Sequence, residues 1–258
     1  MLLSYQTIGN SSDTPLVFLH GLGSGSQQII STFPNLKKNY VIVPDLPGHG
    51  SSQDFDPSDL SFEKFADHVI ALMDDLGIES SNIGGLSMGS GITLNIALRY
   101  PERVKKIILL RPSWLHEKEP EHLKLVACVG QWIEQLGVDA ARDKLLADAD
   151  FLQLDTKNKP VANSIGLMFE RPITPVSTAV LYRLWQDAPF SDLADLSALP
   201  NPALVLTTGR DDLHPQSIAD AIAFHLTDVH SAELPPRYHE PQAYSLALNA
   251  IVQKFLAE

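Results

Sequence analysis

The stretch that decides the fold reads SNIGGLSMGS at residues 81–90. Within it, Gly85-Leu86-Ser87-Met88-Gly89 has the form Gly-x-Ser-x-Gly, between a short apolar run and a helical pattern of apolar residues. A serine in a sharp turn from a strand into a helix has a strained backbone, and its neighbours two residues away must be small for the turn to close. The two glycines meet that requirement, so the pattern predicts a serine nucleophile whose hydroxyl stands above a sheet.

Short apolar runs alternate with longer helical patterns along most of the chain. The runs predicted as buried strands are 16–19, 40–43, 82–83, 106–110 and 203–208. Apolar residues at helical spacing predict one helix between Phe62 and Leu76 and another between Tyr244 and Phe255. This alternation predicts an α/β fold with a mostly parallel central sheet flanked by helices.

The alternation breaks between about Pro112 and Leu199. Helical patterns at 123–136 and 140–146 follow one another there without a strand between them. Prolines mark the edges of this region, at Pro112, Pro189, Pro200 and Pro202. We therefore predict a helical cap at 113–197, inserted into a core domain formed by residues 1–112 and 198–258.

The bulk composition excludes several classes of partner. The formal net charge of −12 disfavours nucleic acid and anionic membranes, because no basic stripe offsets it. Cys128 is the single cysteine, so we expect no disulfide, no zinc cluster and a cytoplasmic location. The N-terminus has no long apolar stretch after a basic start, and no run of about 18 apolar residues occurs, so neither secretion nor membrane spanning is expected. The oligomeric state stays open.

Two turns upstream of the serine resemble signatures of the α/β-hydrolase family. Leu19-His20-Gly21-Leu22-Gly23 follows one predicted strand, and Asp45-Leu46-Pro47-Gly48-His49-Gly50-Ser51-Ser52 follows the next. In that family the His-Gly turn and the residue after the nucleophile each supply an amide to the oxyanion hole. The resemblance therefore implies the backbone N–H groups of Leu22 and Met88. The rival interpretation of the glycine-rich turn as a dinucleotide loop is disfavoured, because Ser26 occupies the third glycine position, and we expect no cofactor and no metal.

The triad acid is expected in the turn after the predicted strand at 203–208. In the α/β-hydrolase family the order is nucleophile, acid, base, at the carboxyl ends of successive strands. Gly209-Arg210-Asp211-Asp212 resembles the family's Gly-x-x-Asp turn, and Asp212 occupies the motif position. Asp211 stays open as the alternative acid, because Pro215 arrives one residue earlier than the family's commoner spacing.

The base is expected in the loop after a last predicted strand at 231–234. His239 lies in that loop, before the final helix. The family often has Gly-His here, whereas this chain has Tyr238-His239 and a short loop. His214 is disfavoured as the base, because it follows Asp212 by only two residues.

The cap is expected to supply the substrate pocket. Its aromatic candidates are Trp114, Trp132, Phe169 and Trp185, unless they only pack the cap's own helices. Arg111 ends the predicted strand at 106–110 and places a cation at the carboxyl edge of the sheet. It could meet an acidic substrate group or form an ion pair with the protein.

Together these residues predict acyl transfer to water. Ser87 attacks an ester carbonyl, His239 moves the proton, and the amides of Leu22 and Met88 hold the oxyanion. The expected function is a serine hydrolase that cleaves a carboxylic ester or related acyl bond of a small molecule. The alternatives are an acyltransferase or carbon–carbon bond hydrolase or lyase with the same triad, and a hydrolase-shaped binding protein without catalysis.

Overall fold

A single mostly parallel sheet forms the centre of the protein. The computed structural model describes residues 2–33, 36 and 38–258. Its strands are β1 (Tyr5–Ile8), β2 (Thr14–Leu19), β3 (Asn39–Pro44), β4 (Ser81–Leu86), β5 (Val104–Leu110), β6 (Ala203–Thr208) and β7 (Val229–Leu234). They lie in the order β1-β3-β2-β4-β5-β6-β7. The pair β1 and β3 is antiparallel and the other neighbouring pairs are parallel, which confirms the predicted fold class.

Helices cover both faces of the sheet and fill the region predicted as a cap. They are α1 (Ser26–Thr32), α2 (Phe62–Asp75), α3 (Met88–Arg99), α4 (Lys124–Leu136), α5 (Val138–Ala147), α6 (Ala149–Gly166), α7 (Pro175–Arg183), α8 (Gln216–His225) and α9 (Pro241–Ala257). Ser61 is the N-cap of α2, because its side chain accepts a hydrogen bond from the backbone N–H of Lys64. Pro160 lies inside α6, which kinks at Asn158 because proline cannot continue the helical hydrogen bonding.

The apolar core consists of two clusters separated by the sheet. Successive strand residues alternate between them, as the period of a β-strand requires. Val17 and Leu19 of β2 belong to the cluster that continues into α2, α3 and the cap helices. Leu16 and Phe18 belong to the cluster against α1 and α9. This burial on both faces explains why β2 is apolar throughout its second half.

The strands β5 and β6 are direct neighbours although the chain leaves the sheet between them. Ile107 pairs with Ala203 and Leu110 with Leu206. All the regular structure described between these strands is helical. The domain limits at 113–197 stay a prediction. The arrangement places the helical region above the carboxyl ends of the strands, where ligands bind in open α/β sheets.

Candidate active site

Ser87 occupies a strained turn between β4 and α3. Its φ of 56° lies in the left-handed region, which a residue with a Cβ rarely adopts. The backbone around it is tightly packed, because a Cβ on Gly85 would lie 2.0 Å from the carbonyl carbon of Gly89. The N–H of Ser87 also donates to the carbonyl of Leu110 at 2.9 Å. These contacts maintain the strain and present the serine side chain above the sheet, as the sequence predicts.

The Ser87 side chain faces a cavity of about 230 Å³ between the sheet and the cap. The core contributes residues from the turn after β2, including Leu22 and Gln28. The cap region contributes Trp114, Leu123, Val126, Ser164, Leu167 and Met168. The loops after β5, β6 and β7 contribute Arg111, Leu213, His214, Arg237 and Tyr238. The cavity is therefore apolar on its cap side and carries basic groups at the edge of the sheet.

Two backbone amides near Ser87 are free to bind an oxyanion. The N–H of Gly21 donates to Oε1 of Gln28 at 2.9 Å, and the N–H of Gly23 donates to Nε2 of His49 at 3.0 Å. Within the described residues, the intervening N–H of Leu22 has no acceptor. Met88 is the first residue of α3, where backbone N–H groups lack intrahelical acceptors. This geometry supports the roles predicted for Leu22 and Met88.

Two buried histidines hold the turn after β2 in place. Nε2 of His20 accepts from the N–H of Leu46 at 3.0 Å, and its Nδ1 lies 2.9 Å from the carbonyl of Gly21. Burial lowers the pKa of His20 to about 4 and lowers the pKa of His49 as well. Both rings are therefore neutral at pH 7, and their unprotonated nitrogens can accept the backbone bonds that shape the oxyanion turn.

The hydroxyl of Ser87 donates to another serine. Its Oγ lies 3.2 Å from Oγ of Ser113, which in turn donates to the carbonyl of Leu213 at 2.8 Å. In the part of the chain that the structure describes, no histidine accepts a hydrogen bond from Ser87. The side chain of Ser113 thus links the nucleophile to the loop after β6.

Asp211, the alternative acid, points inward from that loop. Its Oδ2 lies 2.8 Å from Nη1 of Arg111, and its Oδ1 lies 2.8 Å from Nδ1 of His214. The second contact has the distance of an ion pair, but the ring N–H is poorly aligned for a hydrogen bond. Burial alone would raise the pKa of Asp211, but the neighbouring His214 and Arg111 hold it well below its ordinary value. Asp211 is therefore ionised at pH 7.

His214 is the histidine that shares the cavity with Ser87, among the residues lining it. Its side chain is buried, and burial lowers its pKa below the ordinary 6.5 despite the nearby carboxylate of Asp211. The ring is neutral at pH 7 and can accept a proton. Asp211 then lies where it can stabilise the resulting imidazolium.

Asp212 and His239 line a different cleft of about 460 Å³, the outer cleft. Asp211 also borders this cleft, but its side chain is fully buried and pairs with Arg111. Asp212 pairs with Lys157 and accepts a hydrogen bond from Nδ2 of Asn158 at 2.7 Å. His239 is exposed and is not among the residues that line the Ser87 cavity. The structure therefore does not bring these two predicted triad residues to Ser87.

The short loop between β7 and α9 explains the position of His239. A tight turn closes there, with the N–H of His239 donating to the carbonyl of Pro236 at 3.0 Å. Arg237 and Tyr238 line the Ser87 cavity, whereas His239 lines the outer cleft. The assignment of the base to His239 stays a prediction that this geometry does not support.

The predicted pocket residues divide into two groups. Arg111 and Trp114 line the Ser87 cavity, but Trp132, Phe169 and Trp185 do not. The ring of Trp132 lies 5.0 Å from Nζ of Lys144, and that of Phe169 lies 5.4 Å from the guanidinium carbon of Arg142. The indole N–H of Trp185 donates to the carbonyl of Pro120 at 3.1 Å. These three side chains pack within the helical region.

The sequence did not predict Arg237 and Tyr238 among the residues that line the cavity, and it disfavoured His214 as the base. It also did not predict Ser113, the hydrogen-bond partner of Ser87. The early Pro215 left Asp211 open as the acid, which is the residue that contacts His214. The sequence shows that the loop containing Arg237 and Tyr238 is short, but loop length does not reveal which side chains point into the cavity.

A metal site and a membrane span find no support in the ranges 2–33, 36 and 38–258. No group of three or more potential metal ligands occurs there. No helix in the same ranges has the length and apolar character needed to cross a bilayer.

Comparison with known proteins gives a consistent result. Residues 14–244 match the family model described as alpha/beta hydrolase fold. The 2-hydroxymuconate semialdehyde hydrolase of Pseudomonas sp. (strain CF600) is 29% identical over 81% of this chain and 76% of its own length. The dihydrolipoyllysine-residue acetyltransferase component of the acetoin cleaving system of Pseudomonas putida is 33% identical over 56% of this chain, which spans only 36% of that relative.

A solved structure with the same fold is the meta-cleavage product hydrolase from Pseudomonas fluorescens IP01. It superposes with a TM-score of 0.73 at 23% identity and covers 98% of this chain and 93% of its own. At this identity the likeness concerns the fold.

Proposed function

The chain belongs to the α/β hydrolase fold family, and from this premise we propose that it is a hydrolase that uses Ser87 to attack a carbonyl group of a small molecule. The observation that carries the proposal is the strained Ser87 turn, which faces a cavity beside the free N–H of Leu22. A hydroxyl nucleophile and preorganised amide donors are the two parts that acyl transfer requires.

The reaction begins with attack of Ser87 Oγ on the carbonyl carbon. The serine proton passes to His214, and the carbonyl oxygen becomes an oxyanion held by the N–H groups of Leu22 and Met88. The imidazolium of His214 then gives its proton to the leaving group, and an acyl-enzyme on Ser87 results. Water attacks this ester with His214 again as the base, which releases the acid and restores the serine.

The assignment of His214 and Asp211 rests on their location. His214 lines the Ser87 cavity and forms a close pair with Asp211, and burial keeps the imidazole neutral until it receives the proton. Ser87 donates to Ser113 in the resting structure, so its hydroxyl has to rotate before attack. Catalytic hydrogen bonds are often loose without substrate and tighten when it binds.

The relatives favour a carbon–carbon bond next to a ketone as the bond cleaved. The 2-hydroxymuconate semialdehyde hydrolase, which matches 81% of this chain, is a carbon–carbon bond hydrolase of this family. The carboxylic ester expected from the sequence is the second proposed substrate class. Both bonds are cleaved through an oxyanion and an acyl-enzyme on Ser87. In the ketone the leaving carbon departs with the bonding electron pair, so the substrate must carry a second carbonyl that delocalises this charge as an enolate until the proton of His214 is transferred to it.

A second candidate function is binding without catalysis. The observation in its favour is that Ser87 Oγ contacts Ser113 and not an imidazole. A protein of this kind would retain the cavity and lack a reactive serine.

Covalent labelling separates the two functions. We expect a fluorophosphonate probe to modify the wild type at Ser87, as located by mass spectrometry of the peptide. Ser87→Ala should lose the label, and Ser58→Ala, at an exposed serine outside the site, should keep it. The same three proteins are assayed on activated esters and on ketones with a cleavable carbon–carbon bond. An unlabelled wild type, or turnover that survives Ser87→Ala, would exclude the hydrolase mechanism.

A further inference from the structure

Three arginines in the region of the Ser87 cavity differ in the partners of their guanidinium groups. Arg111 is paired with Asp211. Arg171 donates from Nε to the carbonyl of Met168 at 3.0 Å, and its Nη1 donates to the carbonyl of Ser177. Arg237 is half-buried and lines the cavity, yet no acceptor for its guanidinium occurs within the described residues.

The position of Arg237 is held by its backbone and by its neighbour. Its N–H donates to Oγ1 of Thr208 at 3.2 Å, and that hydroxyl donates to the carbonyl of Pro235 at 2.9 Å. The guanidinium carbon lies 5.5 Å from the centre of the Tyr238 ring, within the range of a cation–π contact. Since Thr208 ends β6, the backbone contact anchors the main chain of Arg237 to the sheet, and the Tyr238 ring lies beside its guanidinium.

Arg237 has no ion-pair partner of its own among the described residues, although the charge of Asp211 acts on it at longer range. The charge of Arg111 is offset by Asp211, and His214 is neutral because burial lowers its pKa. Burial, and then the charge of Arg111, lower the pKa of Arg237. A half-buried guanidinium without a counterion is unfavourable, and an anion that binds beside it removes that cost. The overall negative charge of the protein does not oppose this, since salt screens charges beyond about 8 Å.

We propose that Arg237 binds a carboxylate group of the substrate inside the Ser87 cavity, and so makes the enzyme selective for anionic over neutral substrates. This inference rests on the proposed function and extends it to a substrate class. The planar guanidinium matches a carboxylate with two parallel hydrogen bonds. The apolar wall of Trp114, Leu123 and Val126 is left for the carbon chain. Of the two roles left open for Arg111 in the sequence, the structure shows the ion pair with the protein, since its guanidinium is occupied by Asp211.

A pair of esters that differ in one charge tests the proposal. The probes are mono-4-nitrophenyl adipate and neutral 4-nitrophenyl hexanoate, which have acyl chains of equal length. For Arg237→Met we expect kcat/KM on the adipate ester to fall by about 10- to 100-fold, the usual loss of a charged hydrogen bond, mainly through KM. Any loss on the hexanoate ester should be at least tenfold smaller than the loss on the adipate ester, and Arg237→Lys should recover part of the difference.

The matched control is Arg183→Met, at an exposed arginine on α7 that lies over Tyr182 and outside the cavity. It should leave the ratio of the two kcat/KM values unchanged. Equal losses on both esters in Arg237→Met would show a merely structural role and overturn the proposal. Circular dichroism and thermal unfolding of each variant verify that the fold is intact.

A binding measurement tests the carboxylate site independently of the proposed hydrolase activity. Calorimetry with succinate, adipate and benzoate is performed on Ser87→Ala and on the double variant Ser87→Ala/Arg237→Met. Binding of at least one carboxylate to the first, weakened by about tenfold or more in the second, supports the carboxylate site even if no ester is hydrolysed. Equal affinities in the two proteins, or no binding of any of the three, would overturn it.

Discussion

Nη1 of Arg111 lies 2.8 Å from Oδ2 of Asp211, across 100 residues of sequence. The two side chains are only 1% and 0% exposed. Arg111 follows β5 and Asp211 follows β6, so the pair joins two loops at the carboxyl edge of the sheet. Because Asp211 also contacts His214, this ion pair determines where the imidazole beside Ser87 lies.

Asp211→Asn should be strongly destabilising, because it leaves the guanidinium of Arg111 buried without a counterion. We expect a loss of about 3–5 kcal/mol in the free energy of unfolding, measured by urea denaturation. The matched change Asp212→Asn removes a pair with the exposed Lys157 and should cost no more than about 1 kcal/mol. Similar losses in the two variants would contradict the structure.

The role of Asp211 in catalysis can be separated from its role in stability. The double variant Arg111→Met/Asp211→Leu removes both charges, so it should recover part of the stability lost in Asp211→Asn. It should nevertheless stay inactive on an activated ester, since no carboxylate then supports His214. Recovery of activity together with stability would mean that the pair is only structural.

His214→Ala should lower kcat by about 10²–10⁴-fold, the usual contribution of a general base. His239→Ala should retain nearly the wild-type rate, because its side chain lies in the outer cleft. Both rates are measured on the same activated ester, with His214→Asn as a second variant that preserves polarity. The opposite pattern would restore the base predicted from the sequence and would require a rearrangement of the loop between β7 and α9.

The pH dependence of the reaction should reflect the buried imidazole. Burial lowers the pKa of His214 below 6.5, and the base must be neutral to accept a proton. As pH falls, kcat/KM should therefore decline with a midpoint below pH 6.5, where the lowered pKa of His214 lies. The profile is measured with a neutral ester between about pH 4 and pH 8, with Asp212→Asn as a control of unchanged shape. A midpoint at or above pH 6.5 would exclude His214.

Gly85→Ala should disrupt the nucleophile turn. The added Cβ would lie 2.0 Å from the carbonyl of Gly89, so the backbone has to move and both stability and labelling of Ser87 should be lost. Gly166→Ala is the matched control, because nothing lies within 4 Å of its added Cβ and its φ of −56° is helical. We expect this change to stabilise the protein by up to about 1 kcal/mol in thermal unfolding. Comparable destabilisation by both changes would argue against the packing described.

The edge strand β1 could not be predicted from the pattern of apolar residues. Apolar runs identified β2 to β6 because these strands are buried, and residues 231–234 of the edge strand β7 were also predicted as a strand, whereas β1 was not. It lies at the edge of the sheet, and its residues Tyr5, Gln6 and Thr7 are exposed. A strand whose pairing depends on backbone hydrogen bonds at one edge leaves little trace in side-chain pattern.

The sequence by itself determined the α/β fold, the helical character of the stretch between β5 and β6, and the turn that strains Ser87. The first two follow from the spacing of apolar residues along the chain. The third follows from Gly85 and Gly89, because a turn this tight has no room for larger side chains at those positions. The sequence placed the acid at one of two adjacent aspartates and favoured Asp212, whereas the structure pairs Asp211 with His214.

Only the tertiary structure decided that Asp211 turns inward and Asp212 outward, and that His214, Arg237 and Tyr238 line the cavity in place of His239. Side-chain direction in a short loop depends on its partners in space, and here the partners are distant in the chain. Arg111 selects Asp211 across 100 residues, and Thr208 holds Arg237 across 29.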